Sequence, residues 1–201
     1  AMILQKADEL KPDLIVVGSH GRSALGRLFL GSVSQKVLHA AHCTVRIARG
    51  RKVESKTPVR LIVGVDGSKG AEMAVKAIAA RHWPSESEVK IVNGFPVVVT
   101  IGADYAAAAM AQWIADEKAR VGEAIEKATG KLKGAGLTVS TVMKESDARQ
   151  ALVGEAGDWK ADCVFVGAHG MNAIERFLIG SVSSYIATHA PCSVEVIREE
   201  E

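Results

Sequence analysis

Gly167, Gly170, Gly180 and Ser181 stand in the spacing Gly-x2-Gly-x9-Gly-Ser, and the same spacing recurs at Gly18, Gly21, Gly31 and Ser32. Each run follows a short apolar stretch, Asp162–Val166 in one case and Leu14–Val17 in the other. Glycines without a Cβ let backbone turn tightly and come close to a ligand. Successive free N–H groups form a concavity that suits anions. The Gly-Ser step then enters a helix whose first N–H groups are unpaired and carry the positive end of the dipole. Ser181 and Ser183 add hydroxyl donors. The chemistry this predicts is phosphate binding. A lone Gly-x2-Gly would be a helix-capping turn with serine as the cap. The full spacing, present twice and each time after an apolar strand, favours phosphate. Apolar Ile174, Phe177, Leu178 and Ile179 in the spacer are expected to pin the loop to the core.

Two further residues have open readings. Asp66 lies in the turn Val65-Asp66-Gly67-Ser68. Its short carboxylate either accepts from ribose hydroxyls or bonds its own backbone as a turn aspartate. The glycine loop across the cleft tips the balance to binding. His169 is either a donor to phosphate or a surface-loop histidine, and the sequence weighs these evenly.

The elements that position these residues follow from pattern. Strands are expected over Val59–Val65, Val89–Val92, Leu137–Met143, Asp162–Val166 and Ser193–Ile197. Helices are expected over Ala71–Trp83, capped by Ser68, and over Tyr105–Leu132, closed by Gly134 and Gly136. Two more are expected over Asp147–Trp159 and Ser181–His189. Alternating β and α segments imply a parallel sheet with helices on both faces, and ligands there sit at the carboxyl ends of strands.

Sliding the sequence by 149 positions lays residues 1–49 over residues 150–198 without a gap. Lys11-Pro-Asp-Leu-Ile-Val-Val-Gly18 falls on Lys160-Ala-Asp-Cys-Val-Phe-Val-Gly167. The first copy has no counterpart of Val59–Met143. The expectation is an N-terminally truncated tandem: residues 1–50 as the C-terminal half of a first unit, 51–57 as linker, and 58–198 as a complete second unit. The half unit has Gly18, His20, Gly21, Gly31, Ser32, Val33 and Ser34, but nothing that corresponds to Asp66. It is expected to form no full pocket alone, and its strand Leu14–Val17 to lack sheet neighbours.

The doubled glycine pattern, the Val65-Asp66-Gly67-Ser68 turn and the Ala190-Pro-Cys-Ser-Val-Glu-Val-Ile-Arg198 ending resemble the universal stress protein family, in its ATP-binding branch. The resemblance covers 59–198 as a unit and 1–49 as a half unit. It implies an α/β fold with a five-stranded parallel sheet of order 3-2-1-4-5, and units that pair through their last strands, as a homodimer or within one chain. It implies an ATP-binding regulatory module, with Mg²⁺ carried on the phosphates. It places Val65, Asp66, Gly67 and Ser68 at the adenosine end, and Val92 to Gly94, with Asn93, beside adenine. It places Val166, Gly167, His169, Gly170, Gly180, Ser181, Val182 and Ser183 along ribose and phosphates. Met171 stands where many members have arginine, as at Arg22.

Composition narrows the alternatives. Net charge is +2, so no nucleic-acid footprint is indicated, although residues 1–57 hold ten Lys+Arg against four Asp+Glu. Three scattered cysteines form no Cys-x-x-Cys, which argues against a zinc site and fits a reducing, cytoplasmic setting. Cys43 and Cys192 are equivalent positions that approach if the units pair, though reduced core thiols are the plainer expectation. No apolar run nears the ~20 residues that span a bilayer. Trp83, Trp113 and Trp159 read as packing anchors. The phosphate loop Gly-x4-Gly-Lys-[Ser/Thr] is absent. A slow ATPase and an empty-cleft dimerisation scaffold are the alternatives to the binding module.

Overall fold

The computed structural model describes residues 2–19, 30–49, 56–95, 104–170 and 179–199. The half copy supplies α1 (Met2–Leu10), β1 (Leu14–Gly18), α2 (Ser32–Ala40) and β2 (Thr44–Ala48). The complete copy begins with β3 (Arg60–Gly64), α3 (Lys69–Ala79), β4 (Glu88–Gly94) and α4 (Asp104–Gly134). It continues through β5 (Thr138–Lys144), α5 (Ala148–Asp158), β6 (Cys163–Gly167), α6 (Ser181–His189) and β7 (Ser193–Ile197).

These residues form these elements for local reasons. β3 and β6 are runs of β-branched and other apolar residues, and Leu61–Val63 and Cys163–Val166 are buried because helices cover both faces. Ser68 caps α3 by accepting from the Ala71 N–H at 3.2 Å. Asp147 caps α5 by accepting from the Arg149 N–H at 2.8 Å. The chain leaves α4 through Gly136, whose φ of 81° is the left-handed region that glycine enters without a Cβ penalty.

The sheet has seven strands, not five, in the order β1-β2-β7-β6-β3-β4-β5. Counted from β3, the complete copy reads third-second-first-fourth-fifth across the sheet, with every neighbour parallel. The two extra strands come from the half copy. β2 lies antiparallel to β7, and β1 lies parallel to β2 over Leu14–Gly18. The expectation that Leu14–Val17 lacks neighbours is therefore corrected. The reason is that the exposed edge of β7 and the half copy need the same thing, a strand to complete backbone hydrogen bonds.

Two apolar layers flank the sheet. One joins Val37, Leu38, Leu152 and Ile186 from α2, α5 and α6 to Ile47, Val164 and Val194. This layer crosses both copies, so the half copy shares the core. The other joins Val75, Ile78, Val121 and Leu132 from α3 and α4 to Val63, Ile91 and Phe165.

The tryptophans divide. The Trp83 indole donates to the Ile78 carbonyl at 2.9 Å and meets Phe165 edge-on at 6.2 Å. Trp159 takes Lys90 over its ring at 4.6 Å. Trp113 is 56% exposed on α4, which corrects the expectation that it is a packing anchor. All three cysteines are free thiols. Burial pushes Cys163 up to about 11 and Cys192 up to about 12, so both are neutral at physiological pH.

Candidate functional site

β3 and β6 are neighbours, yet the chain leaves β3 toward β4 and leaves β6 toward β7. Strand order reverses between them, and a crevice opens at their carboxyl ends. It has a volume of about 740 Å³, within the usual range for a small-molecule pocket. Fourteen of the fifteen residues expected around the nucleotide line it: Val65, Asp66, Ser68, Val92, Asn93, Gly94, Val166, Gly167, His169, Gly170, Gly180, Ser181, Val182 and Ser183. Gly67 does not. Its φ of 79° turns the backbone aside, and the Arg120 guanidinium lies against it.

Asp66 makes the bond that its turn reading expects, and its second oxygen is turned to the crevice. One carboxylate oxygen accepts from the Ser68 N–H at 2.9 Å, as a turn aspartate does. The other faces the glycine loop, 3.2 Å from where a Cβ on Gly170 would stand. Arg120, from α4, donates to the Asp66 carbonyl at 2.9 Å and to Glu117 at 2.6 Å. It steadies the turn from behind. Sequence reading missed it, because the contact joins positions far apart in the chain.

The Asn93 side-chain amide donates to the Val65 carbonyl at 2.7 Å, which ties the end of β4 to the turn after β3. Its Oδ1 is buried without a hydrogen-bond partner, and so is Nε2 of His169. A buried polar atom left unpaired costs about 1–3 kcal/mol. Both residues line the crevice, which suits a polar ligand.

Among the described residues, three short contacts hold the two ends of the glycine loop. The Ala168 N–H donates to the Ile197 carbonyl at 2.8 Å, and the Gly180 N–H donates to the Ala168 carbonyl at 2.7 Å. The Ser183 hydroxyl donates to the Gly167 carbonyl at 2.6 Å. That proton is committed, so Ser183 fixes the loop instead of donating to a ligand, contrary to expectation. Gly180 caps α6 without a side-chain bond, and Ser184 is the residue whose N–H reaches back to the Gly180 carbonyl, at 3.0 Å. The N–H groups of Ser181, Val182 and Ser183 therefore have no acceptor within the helix, and all three residues line the crevice. Asp66 is the one charged carboxylate among the described lining residues, and none of them is lysine or arginine.

Packing within the chain also requires glycine at 167. A Cβ there would stand 2.4 Å from backbone of Gly70, in the first turn of α3. Gly70 in turn would place a Cβ 2.2 Å from the His169 carbonyl oxygen. The two glycines let α3 and the loop touch. Ala71, Ala148 and Leu152 line the crevice but were not legible as site residues, since only the packing of α3 and α5 brings them there. Met171, Ile174, Phe177 and Leu178 lie outside the described residues.

The match to known proteins follows the same segments. The model of the universal stress protein family matches residues 1–49 and 59–198. The chain belongs to that family. A universal stress protein of Mycolicibacterium smegmatis is 30% identical over 191 residues, spanning 92% of this chain and 61% of the relative. The chain thus covers about three-fifths of the length of such curated relatives. A universal stress protein structure from Archaeoglobus fulgidus superposes with a TM-score of 0.60 at 20% identity, over 100% of this chain and 65% of that one. A universal stress protein family structure from Arabidopsis thaliana, solved with AMP bound, gives 0.50 at 19% identity, over 71% of this chain and 93% of that one.

The half unit repeats the loop-end bonds of the second copy. The Ser34 hydroxyl donates to the Gly18 carbonyl at 2.6 Å, and the Gly31 N–H to the Ser19 carbonyl at 2.8 Å. Gly18, Gly31, Ser32, Val33 and Ser34 line no part of the 740 Å³ crevice, and Val33 is 55% exposed where its counterpart Val182 lines a wall. His20 and Gly21 lie outside the described residues. No helix among the described residues is long and apolar enough to cross a membrane.

Proposed function

We propose that this universal stress protein binds ATP in the crevice between β3 and β6 and acts as a regulatory module, not as an enzyme. The observation that carries the reading is the juxtaposition at Gly170. The carboxylate of Asp66 faces the loop whose next helix, α6, starts with unbonded N–H groups. A ribose placed against Asp66 would put a phosphate chain along that loop. The purine would lie at Val92, Asn93 and Gly94, where Asn93 Oδ1 awaits a donor. The 6-amino group of adenine supplies one; the 6-oxo group that guanine carries at the same position does not. The AMP-bound Arabidopsis relative has the same fold.

Phosphate affinity would come from backbone N–H groups and the helix dipole. Mg²⁺, in this reading, rides on the phosphates. One carboxylate, itself tied to its turn, is poor equipment for activating water, so hydrolysis would be slow at most. The loop is bonded to β7 through Ala168 and Ile197, and β7 pairs with β2. Nucleotide that favours one loop arrangement would therefore bias the pairing of the units. The proposed setting is cytoplasmic. Equilibrium dialysis of the chain against ATP and GTP tests the reading. Retention of ATP well above GTP is expected; equal retention of both, or none, would overturn it.

A further inference from the structure

The seam between β2 and β7 has a local two-fold axis. The repeat offset maps Val45, Arg46 and Ile47 onto Val194, Glu195 and Val196. The antiparallel register pairs Val45 with Val196, Arg46 with Glu195, and Ile47 with Val194. Positions 46 and 195 are therefore each other's repeat equivalents and face each other across the axis.

Contacts away from the axis come in matched pairs. Arg49 donates to the Thr188 carbonyl at the end of α6 at 3.2 Å, and Arg198 donates to the Leu38 carbonyl at the end of α2 at 2.9 Å. The Ser193 hydroxyl accepts from the Arg49 N–H at 3.1 Å, and the Thr44 hydroxyl accepts from the Arg198 N–H at 3.3 Å. Each copy's terminal arginine satisfies the carbonyl end of the other copy's last helix. Two identical complete units could make these contacts just as well, so they give affinity without selectivity.

The axis breaks the symmetry. Glu195 is fully buried. Arg81 grips its carboxylate with both guanidinium nitrogens, one at 3.0 Å, and Arg46 approaches it from the other strand at 3.4 Å. Pairing β7 with a second β7 would set carboxylate opposite carboxylate. Pairing β2 with a second β2 would set two half-buried arginines together with no acid between them. Side chains directly opposite on antiparallel strands lie close enough for like charges to repel. A buried ion pair is better suited to specifying register than to adding stability.

We propose that Arg46 and Glu195 make this edge a heterotypic recognition surface: the unequal units of one chain pair with each other, and like-with-like pairing between two chains is rejected. The test uses the full chain, read by amide hydrogen exchange at Val45, Ile47, Val194 and Val196 and by mass in solution. The unaltered chain is expected to run as a monomer with these amides protected. Arg46→Glu, which sets acid against acid, is expected to lower their protection about tenfold or more. The triple variant Arg46→Glu, Arg81→Glu, Glu195→Arg reverses the whole network and is expected to restore protection, even if the single variant unfolds. Mixing Arg46→Glu with Arg81→Glu/Glu195→Arg is expected to yield a strand-exchanged heterodimer that neither forms alone. Unchanged protection in Arg46→Glu, or no recovery in the triple variant, would overturn the proposal. So would a unaltered chain that dimerises through this edge.

Discussion

At Gly167 and Gly170 the same substitution asks two different questions. Gly167→Ala drives a Cβ into Gly70 backbone at 2.4 Å, and should lower stability by about 1–3 kcal/mol or more in thermal or denaturant melts. Loss of ligand in that variant would say little about binding. Among the described residues a Cβ on Gly170 would meet only the Asp66 carboxylate, the end of a side chain, at 3.2 Å, so Gly170→Val should melt within about 0.5 kcal/mol of the parent chain while filling the mouth between loop and turn. Asn93→Leu removes the bond to the Val65 carbonyl as well as the orphan Oδ1, and should cost about 1–2 kcal/mol of stability together with purine selectivity. The thiols give a further check. With Cys163 near 11 and Cys192 near 12, neither is a thiolate at pH 8. Alkylation of the folded chain there should spare both, and denaturant should make them react. Rapid labelling of Cys163 without denaturant would contradict the buried placement of β6. The chemistry of the site was readable at this scale because glycine, serine and aspartate keep fixed spacings along the chain. The reason for Gly167 was not, because it lies in the first turn of a distant helix.

At the scale of elements, α5 is fastened to the sheet by a small ion cluster. Glu155 is buried, and it accepts from Lys90 at 2.9 Å on β4 and contacts Lys144 at 2.6 Å on β5. The hydrogen bond from Lys144, then that from Lys90, holds this carboxyl below the usual range. A depressed folded-state value contributes stability that is present above the unfolded pKa of about 4.3 and is lost as pH falls through the folded value. Melting temperature should therefore drop as pH is lowered below about 4, and Glu155→Gln should flatten that part of the profile. An unchanged profile in the variant would mean the cluster is solvated and idle. Element types and most boundaries were legible: Ser193–Ile197 and Ser181–His189 agree end for end, α5 is shorter by one residue at each end, and α3 begins two residues earlier and ends four earlier than expected. Caps explain this. Ser68 and Gly136 announce themselves locally, whereas the finish of α3 at Ala79 depends on Trp83 folding back to the Ile78 carbonyl.

The whole molecule is where sequence reading fell short. A half unit without its first three strands reads as a fragment with open edges, and pairing within the chain was only one alternative. The structure joins β2 to β7 and runs one apolar layer from Leu38 to Ile186, so the half copy is part of the same core. The information was present in the register of the repeat, but strand pairing is non-local and no pattern within either copy reveals it. The asymmetry also bears on function. One crevice faces Asp66, and the sequence of the half copy has no counterpart of that residue, so one chain should hold one nucleotide. Calorimetric titration of the intact chain with ATP and magnesium, beside Gly170→Val, tests this most directly. The account predicts saturable binding at about one site per chain in the parent and loss of binding in a variant that melts normally. No heat of binding at millimolar ATP, or equal binding by both chains, would contradict it.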